Sequence, residues 1–179
     1  AALYGAGLYH TATLPMTLTN VALIGNYALI DGGGLYSSAA AGPVQIDRAW
    51  FEGNQATTGS GGGAYLSYTG GHATFDHTTF FTNTAPNASG YTGGGAIYAN
   101  STVYLSNSTL NDNSTGRDGG AIKSNNGFIY AVNTTLSDNH ATRNGGGLIG
   151  SSGDFRLFSV TVAGNSAGSQ GGGLFTENM

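Results

Sequence analysis

The chain has no cysteine. Disulfide scaffolds, thiolate zinc sites and a cysteine nucleophile are therefore excluded. Charge is scarce, with 5 Lys and Arg against 9 Asp and Glu in 179 residues. The net charge of −4 lacks the basic footprint of a nucleic-acid binder. It also offers no attraction to an anionic membrane surface. No apolar run approaches the roughly 18 residues of a membrane helix, so direct membrane insertion is not expected. Residue 1 is Ala, and no charged segment precedes an apolar one in the manner of a secretion signal. Proline is rare, with 3 residues, yet no segment carries a helical period.

Glycine is abundant. It supplies 32 of the 179 residues, more than twice the usual share of roughly 7%, without a collagen-like period. Hydrophobic residues at 39% and aromatic residues at 11% separate the chain from a disordered Gly/Ser linker. The length fits one domain with a sizeable core.

Internal repeats settle the architecture. Six times a large apolar residue is followed, three positions on, by Asn: Leu23–Asn26, Phe51–Asn54, Phe80–Asn83, Leu110–Asn113, Leu136–Asn139 and Val162–Asn165. The Asn-to-Asn steps are 28, 29, 30, 26 and 26. Between them runs a glycine motif, two Gly, a Gly or Ala, then a large residue, ending at Leu35, Tyr65, Ile97, Ile122, Leu148 and Leu174. Five residues before each apolar residue of the first motif stands Leu18, Ile46, Phe75, Leu105, Ala131 or Leu157, mostly with an apolar partner two residues earlier. A spacing of two is strand alternation. One repeat thus reads as three short strands with tight corners. Propeller blades need roughly 40 or more residues, whereas a lap of about 27 fits one turn of a solenoid. The expected fold is all-β: a right-handed, single-stranded parallel β-helix (β-solenoid) of about six to seven turns, three short strands per turn. At a strand spacing of roughly 4.8 Å the rod is roughly 30 Å long.

The corners account for the residue choice. Gly permits φ > 0 and close backbone approach, and Asn tolerates left-handed conformations and caps its own turn. Stacked turns place Asn26, Asn54, Asn83, Asn113, Asn139 and Asn165 in one column, where side-chain amides can donate and accept between turns. The segment from Asn83 to Ala96, holding Pro86, Asn87, Ser89 and Gly90, is the one loop expected to protrude.

The residues also resemble a family. Gly94-Gly95-Ala96-Ile97 and Gly119-Gly120-Ala121-Ile122 read GGAI; Phe51-Glu52-Gly53-Asn54 and Phe80-Phe81-Thr82-Asn83 read FxxN. This alternating signature resembles the repeats of the chlamydial polymorphic outer-membrane proteins and, more widely, the pectate-lyase-type right-handed parallel β-helix. The resemblance implies an autotransporter-like adhesin of the bacterial outer membrane. The family's signal and C-terminal barrel are not in this sequence. Together with strand-like first and last residues, this leads to an expectation that residues 1–179 are a single β-helix segment of a longer chain or an end-to-end fibre.

Stacking turns residues one repeat apart into neighbours, which permits a search for chemistry. Asp47 and Asp76 share a column, followed by Arg48 and His77. Two carboxylates on adjacent turns could serve a glycosidase, or a lyase with Arg or His as base and the acids holding Ca²⁺. The alternative is a solvated column of unlike charges. Asp112 and Asp138 form a second column with Arg117 and Arg143 five residues after each, a pattern that predicts surface ion pairs. His10, His72, His77 and His140 fall at different repeat positions, so no metal site and no cofactor is expected. No regular Thr-x-Thr column is visible, so an ice-binding face is not expected.

In the glycine strand the residue after the inward one should point out. That column reads Tyr9, Tyr36, Leu66, Tyr98, Lys123, Ile149 and Phe175, an apolar and aromatic stripe that calls for a partner. The leading expectation is a non-enzymatic, extracellular structural or adhesive segment of a bacterial surface protein or fibre. The alternative is a carbohydrate-active β-helix, lyase or glycosidase, or a glycan-binding module. Expected partners are another copy end to end or the rest of a parent chain, and host or cell-surface glycans or proteins.

Overall fold

The computed structural model describes residues 2–38, 43–67, 71–88, 90, 92–150 and 155–177. Among them every regular element is a strand, and all the strand pairs are parallel. Strands of equal phase in successive repeats pair in sequence order. Leu8–His10, Leu35–Ser37, Ala64–Leu66, Ile97–Ala99, Ile122–Ser124, Leu148–Gly150 and Leu174–Thr176 form a seven-stranded sheet. Met16–Thr19, Val44–Asp47, His72–Asp76, Thr102–Ser106, Ile129–Val132 and Phe155–Phe158 form a second sheet of six. Ala22–Ile24, Trp50–Glu52, Thr79–Phe81, Thr109–Asn111, Thr135–Ser137 and Thr161–Ala163 form a third. The chain is an all-β parallel solenoid of about six turns with three main strands per turn. A fourth ladder of two-residue strands, such as Gln55–Ala56 and Ser114–Thr115, follows each column Asn.

The corners after the second and third sheets each contain a residue in the left-handed region. After the second sheet these are Asn20, Arg48, His77, Asn107, Asn133 and Ser159, with φ between 48° and 55°. After the third sheet they are Gly25, Gly53, Thr82, Asp112, Asp138 and Gly164. The ladder Asn is the residue after this one and is not itself left-handed, so its role differs from the cap read in the sequence. The glycine corner answers a second need. A Cβ on Gly33 would lie 2.5 Å from the backbone N of Gln55 and the carbonyl of Gly62, a spacing that only a bare backbone allows.

The inward columns fill the bore. Leu35, Ile97, Ile122 and Leu148 meet Ile46, Phe75, Leu105 and Ile129 from the second sheet and Phe51, Phe80, Leu110 and Leu136 from the third. Phe51 and Phe80 stack at 4.5 Å between centroids, and Phe75 presents its edge to both. The third glycine strand departs from the sequence-based phase. Left-handed Gly61 aligns with Gly32, so Ala64 takes the inward place of Leu35, and Tyr65 stands outward beside Tyr36. Leu66 then points inward opposite Ser37 and is buried. The small-large order is inverted along one strand, with Ala64 and Leu66 replacing Leu35 and Ser37, so the bore stays filled.

Candidate functional site

The six column Asn residues form one continuous hydrogen-bonded ladder. The Nδ2 of Asn26, Asn54, Asn83, Asn113 and Asn139 each donates to the Oδ1 of the next, at 2.9, 2.9, 3.0, 3.0 and 2.8 Å. The same Oδ1 atoms accept the backbone N–H of the Asn one turn earlier, at 3.0–3.1 Å. A second Nδ2 hydrogen reaches back to a main-chain carbonyl of the preceding turn, as from Asn83 to Phe51 at 2.9 Å. Asn54, Asn83, Asn113 and Asn139 are wholly buried. The ladder therefore gives each buried amide its donors and acceptors inside the protein, which removes the roughly 1–3 kcal/mol cost of an unmet polar group.

The outward column of the seven-stranded sheet is Tyr9, Tyr36, Tyr65, Tyr98, Lys123, Ile149 and Phe175. Leu66 is absent from it and Tyr65 takes its place, because Gly61 sets the phase of that strand. The four tyrosines stack with centroids 5.1 Å apart. The stripe is not open along its length. Tyr9 is 57% exposed, whereas Tyr98 is 6%, Lys123 1% and Ile149 0% exposed. The glycine corner folds over it: a Cβ on Gly145 would sit 2.8 Å from that of Ile149. Burial pushes the Tyr65 phenol up to about 12, and raises Tyr36 and Tyr98 as well.

Where the stripe turns to Lys123, a charged knot forms. Lys123 Nζ lies 3.2 Å from Asp118 Oδ2, and Arg143 grips both Asp118 oxygens at 2.8 Å. The Asn144 backbone N–H adds a bond of 3.2 Å to Asp118 Oδ1. Burial alone would raise the Asp118 carboxyl, but the bonds from Arg143 and the charge of Lys123 hold it below the usual carboxylate range. Burial lowers the Lys123 ammonium, and Asp118 restores only part of the shift. The pairing expected for Arg117 and Arg143 with the column of Asp112 and Asp138 is thus replaced. Arg143 pairs with buried Asp118, and Arg117 approaches the same carboxylate at 3.7 Å. Asp112 and Asp138 occupy left-handed corners instead.

Asp47 and Asp76 do stand in register. Arg48 Nη2 lies 2.8 Å from Asp47, and His77 Nδ1 lies 3.1 Å from Asp76 and 3.8 Å from Asp47. Ser106 and Asn107 donate to Asp76 at 2.7 and 2.9 Å, and chiefly through Ser106 they hold it below the usual range. Asp76 is therefore unsuited to the proton-donor role of a glycosidase, which needs a raised carboxyl. Ligand atoms of Asp47, Asp76 and His77 lie within 4.8 Å of one another. These are the only three that could converge on a cation among the described residues, yet the same carboxylates already serve Arg48, Ser106 and Asn107.

Two outward faces were not visible in the sequence analysis. On the second sheet Tyr104 and Tyr130 stack at 5.1 Å, the His72 ring meets Tyr104 edge-on, and Arg156 lies 5.6 Å above Tyr130. On the third, Thr79, Thr109, Thr135 and Thr161 form one column. Its neighbouring outward column is Phe81, Asn111, Ser137 and Ala163, so the face is not a Thr-x-Thr array. Trp50 stands in the Thr column, one turn before Thr79 and one after Ala22. The residue immediately before the apolar residue of each Φ-x-x-Asn motif is the signal that would have located it. Ser89, placed in the loop expected to protrude, lies outside the described residues.

The class is a parallel β-solenoid with an internal Asn ladder. Residues 77–100 match the model of the Chlamydia polymorphic membrane protein repeat. That stretch runs from the corner at His77 through Asn83 to Gly94-Gly95-Ala96-Ile97. The chain is a β-helix like that of the chlamydial polymorphic membrane proteins. No curated protein and no solved structure matches it.

Proposed function

We propose that the chain is a non-enzymatic, extracellular rod segment of a bacterial surface protein, structural and adhesive in role. The repeat over residues 77–100 is that of outer-membrane surface proteins, which supports a cell-surface location. The single observation that carries the mechanical part is the unbroken amide ladder from Asn26 to Asn165. It ties every turn to the next in the interior and leaves the outward columns free to vary. Repeated faces on a stiff rod add weak contacts by avidity. The lowered Asp76 carboxyl argues against a glycosidase proton donor at this pair, and Arg48 and His77 already engage its carboxylates.

An antibody raised against the folded chain tests the location. It should label intact cells of the source organism, and external protease should remove the label. Labelling that requires permeabilised cells overturns the surface assignment. Product release from polygalacturonate in the presence of calcium, lost in Asp76→Asn with the fold intact, overturns the non-enzymatic one.

A further inference from the structure

The outward face of the third sheet carries a groove of about 370 Å³ lined by Trp50, Thr79, Phe81, Thr109, Asn111 and Ser137. That volume is at the small end of ligand sites, which run roughly 300–1,000 Å³. We propose that this groove binds a neutral oligosaccharide, with a sugar ring stacked on Trp50 and its hydroxyls read by Thr109, Asn111 and Ser137.

The indole is prepared for stacking. Trp50 is 43% exposed, although aromatic residues of this size are usually well buried. Its Nε1–H donates to Glu52 at 2.7 Å, which fixes the ring and uses up its only polar group. The faces of the indole remain, and these suit the C–H face of a pyranose. Phe81 supplies a second ring in the neighbouring column, opposite Glu52 in register.

The polar floor is equally ordered. Asn111 Nδ2 donates to Ser137 Oγ at 3.0 Å and to Asp138 Oδ2 at 3.3 Å. The amide is thereby set before any ligand arrives, which lowers the ordering cost of binding. The hydroxyls of Thr79 and Thr109 have no hydrogen-bond partner among the described residues. Hydroxyl, amide and aromatic groups in one concave strip match a polyhydroxylated ligand with apolar ring faces.

Charge narrows the class. No Lys or Arg lines the groove, and Glu52 and Asp138 stand at its edges. An acidic sugar would meet two carboxylates and no cation there. The acidic polysaccharides considered for Asp47 and Asp76 are therefore disfavoured here. The groove lies on a different sheet from those two residues, and the inference holds whether or not the chain is on a cell surface. Intact-cell labelling and sugar binding can fail independently.

Trp50 is the only tryptophan, so tryptophan emission, excited at the red edge where the 10 tyrosines do not absorb, reports this groove alone. The experiment is titration of the folded chain with cellotetraose, mannotetraose and N-acetylchitotetraose, with tetragalacturonate as the acidic comparison. At least one neutral tetrasaccharide should give a saturable change, and tetragalacturonate none. By calorimetry, Asn111→Leu should weaken the neutral binder at least tenfold and Trp50→Ala should abolish it. Phe158→Ala, an exposed aromatic on the second sheet, should leave it unchanged. Failure of all three neutral sugars, preference for tetragalacturonate, or full affinity in Trp50→Ala overturns the proposal.

Discussion

The buried Asn ladder and the buried knot at Asp118 differ in kind. The Asn ladder is neutral and repeats in every turn, each amide donating to the next. The knot of Asp118, Lys123 and Arg143 is charged and occurs once. The ladder pairs groups whose desolvation is modest and whose partners are supplied by symmetry. The knot buries Asp118 and Lys123 nearly completely, where the cost of desolvating ions rivals their attraction. A repeated neutral column can extend indefinitely, whereas a charged one needs a partner of opposite sign at each lap. The difference teaches that stacking selects residues able to bond to copies of themselves.

The comparison can be broken most sharply at Asp118. Asp118→Asn strands Lys123 and Arg143 and should cost about 3–5 kcal/mol, read as a drop in urea midpoint. In the unaltered protein the Asp118 contribution has a defined pH window. Its folded pKa lies below the ordinary 3.8, so its stabilisation is complete above that value and is lost as pH falls through the folded one. In Asp118→Asn this acid-side loss should shrink.

Next in size is the ladder. Asn83→Leu deprives Asn54 of its acceptor and removes the Nδ2 donor from the Phe51 carbonyl and from Asn113 Oδ1, which keeps only the backbone N–H of residue 83. A loss of about 3 kcal/mol is expected. Asn87→Leu, at an exposed site, should change stability by less than about 0.5 kcal/mol. Equal urea midpoints for the two would contradict the ladder. Lys123→Met sharpens the contrast. It keeps the Arg143 fork on Asp118 and trades a buried ammonium for an apolar chain, so stability should move by less than about 1.5 kcal/mol in either direction.

The tyrosine stack gives a smaller effect. With Tyr65 raised to about 12 from 10.0, its contribution is present below pH 10 and is lost as pH rises toward 12. Spectrophotometric titration should show a late-ionising phenol that Tyr65→Phe removes. The smallest change is a gain. Thr82 is β-branched yet left-handed, at φ 53°, and Thr82→Gly should stabilise by about 1 kcal/mol. A loss on thermal melting would contradict the corner assignment.

The architecture was legible because its signal is periodic. Positions such as Phe51, Phe80 and Leu110 sit one lap apart and point into the bore, and spacing alone shows this. The phase of a single strand was less secure. Gly61-Gly62-Gly63-Ala64-Tyr65 admits two alignments by residue type, and only the left-handed Gly61 decides that Tyr65 faces out and Leu66 in. Burial of outward positions was not legible, since it depends on how the glycine corner folds over Ile149. The partner of Arg143 escaped for a related reason. Asp118 lies 25 residues away, immediately before the glycine motif rather than in the Asp112 column, and the adjacent laps carry Gly93 and Asn144 at that place. The Trp50 groove escaped because its lining comes from two adjacent columns of four successive turns.

The most direct measurement is nuclear magnetic resonance of the Asn side-chain amides, using scalar couplings across hydrogen bonds. The Asn83 Nδ2 should correlate with the side-chain carbonyl carbon of Asn113 and the main-chain carbonyl carbon of Phe51. Its protons should exchange slowly with water. Rapid exchange at the Asn83 amide with neither correlation would show that matching positions of successive laps are not stacked.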